Sequence, residues 1–407
     1  MTLAETPLVL MFVGLTAYAV FGGADFGAAF WQIGARGQHG GALREHAYRS
    51  MGPVWEANHV WLIFVLVVCW TTYPGAFASI FSTLSVPLFI AAVGIILRGT
   101  AYAIHVGTAR EIERRTVAVL FSASSLLTPF ALGTAVGGIA SGRVPVGYGA
   151  GDPLTSWLNP TSMVIGALAV ATGAYLAAVY LAADAARAGL SDIAAAFRAR
   201  ALGAGVVTGA IALGGLVVVA YDADRLSDGL FRWPASAAIA ASAAAGLATL
   251  ELVRRSRFEA ARVGASAAVA AVVAGWALVQ RPDLLPGLTI DEAAAGRPTL
   301  IATIIGVAVG AVILVPSLAL LFGLVLRGRF DRDDADVTPR DHAALAPRRR
   351  HPGLPATAAV AGALGLPLTL AFDTGLFLAV GIVGLLASIG LAWISLGAAA
   401  ARGDDHR

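Results

Sequence analysis

The sequence predicts an all-α polytopic membrane protein, and three observations lead there. First, 58% of the 407 residues are hydrophobic and a further 47 are glycine, while only 13% are charged. Mean hydropathy is +0.77. A soluble domain has about 25% charged residues, because surface does not shrink fast enough with size to hide so apolar a chain. Second, runs of Leu, Val, Ala and Gly extend past 20 residues, about the length of one helical crossing. Outer-membrane barrels show alternating segments of about ten residues instead. Third, the basic residues are all arginine and gather in short stretches between apolar runs. The pI of 9.3 is therefore a matter of membrane topology and not of nucleic acid.

Hydropathy places spans at 7–33, 53–74, 77–103, 116–142, 161–184, 201–222, 234–254, 261–280 and 299–327. Two more, 354–372 and 376–399, follow a polar gap, and Asp373 and Gly375 also allow this pair to be a re-entrant hairpin. Glu5 stands where a signal peptide would be basic, and the first apolar segment is too long for one, so span one is expected to remain. Every second loop is basic. Arg36, Arg44 and Arg49 follow span one; Arg110, Arg114 and Arg115 follow span three. Arg187, Arg198 and Arg200 follow span five, and Arg254, Arg255, Arg257 and Arg262 follow span seven. Seven arginines from Arg327 to Arg350 follow span nine. The intervening loops have few, and 222–233 leans acidic. Because short basic loops stay inside, the N-terminus is expected outside the cytoplasmic (inner) membrane and the basic loops in the cytoplasm. One missed helix would break this alternation. Residues 328–353 mix both charge signs with three prolines and read as a solvated cytoplasmic linker, and 400–407 as a polar tail. Cys69 is alone in an apolar run, which excludes an intrachain disulfide and any cysteine metal site.

Ionisable groups inside a span cost several kcal/mol (about 2.5–3.5 on insertion scales), so each needs a reason. Asp184, Asp222 and Glu251 lie within a turn of a span end, where interfacial anchoring explains them. Three others stand deeper. Asp25 lies in Gly22-Gly23-Ala24-Asp25-Phe26-Gly27 of span one, Glu56 in Gly52-Pro53-Val54-Trp55-Glu56-Ala57-Asn58-His59-Val60-Trp61 of span two, and Arg98 in span three. At 1.5 Å per residue, all three fall within roughly 5–12 Å of the cytoplasmic boundary. Two readings stay open on the residues alone. One is a buried ion pair fixing helix register; the other is a proton-accepting site, since one arginine cannot neutralise two carboxylates and burial raises a carboxylate pKa. Asn58 and His59 share the region in supporting roles. His59 is the only clearly intramembrane histidine, and a haem in a bundle needs a second axial donor, so hydrogen bonding is the expected use. Gly23 and Gly27 allow close helix approach. Trp55 belongs to the interfacial belt, and Trp61, six residues on, is on another face.

At these residues the sequence resembles subunit II of cytochrome bd-type quinol oxidases. Gly23-Ala24-Asp25-Phe26-Gly27 and the stretch from Gly52-Pro53 through Trp55, Glu56, Asn58 and His59 to Trp61-Leu62 form its two motifs, and Leu97-Arg98-Gly99 fits as well. Nine spans within residues 1–327 fit the same family. Glu56 stands where the family more often has Asp, with Ala57 and His59 where Gly and a Glu or Gln are common, which marks a divergent branch.

The resemblance implies two four-helix bundles plus a ninth helix in 1–327, to which 354–399 adds a C-terminal hairpin. It implies a haem-bearing subunit I as partner, holding the b and d-type haems and the quinol site, while this chain holds no haem or metal. It implies a terminal oxidase of the respiratory chain, a quinol:oxygen oxidoreductase in which this chain alone is inactive. Asp25 and Glu56 match the acidic positions linked to proton supply. The hairpin has no counterpart in the family's basic architecture and is expected to replace a small accessory subunit; lipids and quinone are further expected partners of the chain. The rival reading, a proton-coupled secondary transporter using the same carboxylates, expects broken helices paired between two halves. Here the polar cluster is confined to the first half.

Overall fold

The computed structural model describes residues 2–33, 37–51, 55–105 and 111–326. The chain divides into two compact units, Met1–Ala319 and Leu320–Arg407. Of the second, only the helical stretch to Leu326 is described; the linker 328–353, the hairpin 354–399 and the tail 400–407 lie outside the described residues, as do Gly52 and Pro53.

The first unit is built of helices in the order the hydropathy requires. Span one is α1 (Glu5–Ala17), a π-helical turn (Tyr18–Gly22) and α2 (Gly23–Ile33). Next come α3 (Gly37–Met51), α4 (Trp55–Thr72), α5 (Pro74–Thr83), α6 (Ser85–His105) and α7 (Glu111–Ala140). The remainder is α8 (Pro160–Arg187), α9 (Ser191–Asp222), α10 (Asp224–Leu230), α11 (Ala235–Arg254) and α12 (Phe258–Gln280). A two-stranded hairpin, β1 (Asp283–Leu285) and β2 (Leu288–Thr289), leads through α13 (Ile290–Ala293) to α14 (Arg297–Leu326). Among the described residues, seven helices are long and apolar enough to cross a membrane, and an eighth if the bent pair α5–α6 is one span. Asn58–Thr72 is a shorter apolar helix.

Helix α8 is the axis of this unit. It packs against α2, α7, α9 and α12, and Gly173–Ala183 is buried without a break. A helix apolar on every side has no solvated face to offer, so it becomes the core. Small residues make this packing close. A methyl on Gly27 would be driven into the Gly173 carbonyl, and one on Gly173 would come within 2.8 Å of the Gly23 carbonyl oxygen. In lipid, where apolar helix faces gain little by leaving their surroundings, such close van der Waals contact is what holds helices together.

Turns of alternate sign fall at opposite ends of the unit. At one end Arg143 pairs with Asp222 at 2.9 Å, Arg225 with Asp283 at 2.7 Å, and Arg281 with Glu5. At the other, Asp184 takes both Arg187 at 3.1 Å and Arg262 at 2.9 Å. The most apolar stretch of α14 buries none of its residues.

Three expectations need correction. Span three, read as 77–103, is two helices bent by 84° between Thr83 and Ser85. Pro87 is the reason: inside a continuous helix it would lose its bond to Thr83 and clash with the preceding turn, whereas in the first turn of α6 its missing N–H is not needed. Span six starts at Ser191 and not at 201, so Arg198 and Arg200 stand on α9 and not in a loop. Ala194–Ala196 and the alanines that follow favour helix strongly enough to extend the span through both arginines. The loop after span one contains a helix of its own, α3, which is polar.

Candidate functional site

The π turn in span one is where the site begins. The Gly23 N–H donates to the Tyr18 carbonyl five residues back, and such single-turn widenings shift the helical face that follows. Beyond the turn, α2 directs Asp25 into the interior between α6 and α7, where Arg98 meets it.

Both side chains are 0% exposed. The Arg98 Nη2 donates to Asp25 Oδ1 at 2.6 Å and to the Asp25 carbonyl at 2.9 Å, and Nε donates to Oδ2 at 3.3 Å. The fork–fork arrangement satisfies both carboxylate oxygens with one guanidinium. Nη1 donates to the Ser125 hydroxyl, which itself donates to the Phe121 carbonyl at 2.6 Å. Two aromatic faces enclose the cation, Phe26 at 4.8 Å and Phe121 at 4.5 Å from the guanidinium carbon. Taking two ions out of water costs several kcal/mol each, and only such complete satisfaction returns it.

His59, on α4, reaches the same interior, next to Asn58 in the chain. Asn58 is buried, and the His59 ring lies edge-on to Tyr18 at 6.4 Å and to Phe26 at 6.3 Å between centroids. The Tyr18 hydroxyl is buried without a hydrogen-bond partner among the described residues. Trp61 is half-buried on α4. Trp55 and Glu56 occupy the first turn of α4, and their side chains lie outside the described residues. Among the described residues no three His, Cys, Asp or Glu side chains converge to hold a metal.

The family model described as cytochrome bd terminal oxidase subunit II matches residues 3–325. The chain belongs to that family. A chain in the structure of the bd oxidase from Geobacillus thermodenitrificans is similar to it, with a TM-score of 0.67 and 25% identity. That similarity covers 80% of this chain and 99% of the other. A protein of Bacillus subtilis (strain 168), provisionally named a cytochrome bd menaquinol oxidase subunit II, is 26% identical over 112 residues. The match spans 28% of this chain and 32% of that relative's length.

In this subunit II, the residues singled out from sequence separate into two groups. Asp25, Arg98 and His59 meet around Phe26, with Asn58 buried on α4 and Gly23 and Gly27 setting the α2–α8 approach. Gly52, Pro53 and the side chains of Trp55 and Glu56 fall outside what is described. Sequence reasoning missed Tyr18, Phe26, Ser125 and Phe121. Tyr18 had a signal, standing seven residues before Asp25 and so on the same side of a helix. Ser124-Ser125, a polar pair within an apolar span, was the signal for α7.

Proposed function

We propose that the chain is the non-haem subunit of a membrane quinol:oxygen oxidoreductase, supporting a haem-bearing subunit I and the supply of protons from the cytoplasm. The observation that carries the reading is the Asp25–Arg98 pair, sealed inside a chain whose family match runs over residues 3–325. Arg98 turns three of its donors on Asp25, and Glu56, the other carboxylate within the first three spans, is the one we assign to proton exchange. Asp25 and Arg98 hold the wall of that path, with Asn58 and His59 beside it. The haems and the quinol site belong to the partner in this reading. The Bacillus relative's name makes menaquinol the first quinol to assay.

The test has two stages. Purified through this chain from its native membrane, the complex should bring with it a haem protein and consume oxygen on addition of reduced quinol; a haem-free preparation without that activity overturns the assignment. In the active complex, Glu56→Gln should lower turnover about 10²-fold, the low end of what a positioned proton-transfer group contributes, with the haem spectrum retained. Full turnover of that variant between about pH 6 and 9, a window spanning the histidine range, removes Glu56 from the proton path.

A further inference from the structure

On the flank where α2, α7, α8 and α9 meet lies an apolar groove of about 1130 Å³. Trp31, Leu127, Phe130, Val170 and Val207 are among its walls, and among the described residues Arg200 is the single charged one lining it. Helix α9 follows the groove from Ala196 to Ile211, about 22 Å at 1.5 Å per residue. The Arg200 end lies toward the arginine-bearing end of the unit, and the other end passes the middle of α9.

Among the described residues, Arg200 meets neither a carboxylate nor the end of another helix. Arg187 and Arg262 pair with Asp184, and Arg254 and Arg255 with Glu251. Arg198 is spent on the Val253 and Arg254 carbonyls at the end of α11. Among the described residues Arg200 has no carboxylate partner. Its Nη1 donates to the Ala196 carbonyl at 3.0 Å, and its guanidinium lies 5.9 Å from the Trp31 ring and 5.5 Å from Phe197. The Trp31 indole is fixed by its own bond to the Ala174 carbonyl at 2.8 Å. A long arginine with its stem on apolar surface presents its charge at the headgroup level. The groove thus has the profile of an amphiphile: one cation at the interface, and only apolar wall toward the bilayer centre.

We propose that this groove binds one anionic phospholipid, with its phosphate at Arg200 and its acyl chains between α7, α8 and α9. An anionic headgroup supplies the countercharge that no described carboxylate gives Arg200, and the open side of the groove admits chains laterally from the bilayer. Neither a free anion nor a polar peptide has anything to bind beyond Arg200.

The full-length chain, purified in its complex, would be titrated with phosphatidylglycerol and with phosphatidylethanolamine and read by native mass spectrometry. Phosphatidylglycerol should be preferred, and Arg200→Gln should weaken it about fivefold, the effect of one arginine near anionic headgroups. Gly203→Leu should abolish the preferred adduct by filling the groove. A methyl built at Gly203 meets no atom within 4 Å, and an unchanged melting temperature would show that the variant keeps the fold. Equal lipid retention by wild type and both variants overturns the proposal. So does extraction of a quinone in place of the phospholipid, or a photocrosslink from Val207 to another subunit or to residues beyond 326.

Discussion

Asp25 and Arg98 show how much a single pair can govern at the residue scale. Each alone would be an uncompensated charge inside the helices, and removing one partner of a buried pair costs about 3–5 kcal/mol. Asp25→Asn should therefore lower the thermal midpoint of the complex sharply or prevent the chain from accumulating. Asp25→Leu combined with Arg98→Met, which removes both charges, should restore much of that stability, as replacement of whole buried pairs does elsewhere. A double variant as unstable as the single one would place the stability in Ser125 and the aromatic cage instead. Gly27 makes a second residue-scale case. Its methylated form must displace the Gly173 backbone, and overpacking of this kind costs about 1–3 kcal/mol. Gly27→Ala should lower the melting midpoint, while Gly203→Ala, with open space around it, should leave it unchanged. Asp25 and Arg98 were legible in the sequence as charges standing out in apolar runs, though not as partners. Gly173 was not, being 146 residues from Gly27 and one glycine among 47.

Between elements, the α5–α6 elbow gives the 143–159 segment its seat. The Ser79 and Ser82 hydroxyls on α5 accept the amides of Gly147 at 3.0 Å and Gly149 at 2.9 Å. Ser79→Ala and Ser82→Ala should each cost about 1 kcal/mol and speed hydrogen exchange at those two glycines more than elsewhere. Within the same segment the amides of Thr155 and Leu154 bond the Asp152 carboxylate at 2.7 and 2.8 Å and hold its carboxyl below the usual aspartate range. A lowered pKa means that this turn is fully stabilised above the ordinary aspartate value and loosens as pH falls through the lowered one. Exchange at Leu154 and Thr155, corrected for intrinsic rates, should therefore rise below about pH 4 in the wild type, near the unperturbed aspartate value. In Asp152→Asn it should show no such step. Pro87 was the readable sign of the elbow, and hydropathy overlooked it because 77–103 is apolar on both sides of the bend.

At the scale of the whole molecule, the family match ends at residue 325 and the Geobacillus chain is 99% covered by 80% of this one. The sequence beyond is an addition to a body that a relative builds without it. Truncation after Arg329 should leave haem content and quinol-driven oxygen uptake of the complex intact, with at most weaker association in detergent. Loss of the haem signal, with the haem subunit still present, would show that residues 330–407 help to form the redox core.

Segment hydropathy depends only on the residues within a segment, which is why composition and arginine placement were enough to determine an all-α membrane chain, the order of its spans and the segregation of its basic turns. The two motifs in spans one and two were likewise local, and they were enough for the family. Contacts between segments are decided by packing of residues far apart in the chain. Only the tertiary structure brings Arg98 onto Asp25 across 73 positions, sets Gly27 against Gly173, and leaves Arg200 on a groove with no carboxylate among the described residues. A guanidinium has no preference for one acid over another until the helices fix which is near, and in lipid that choice falls to close backbone approach.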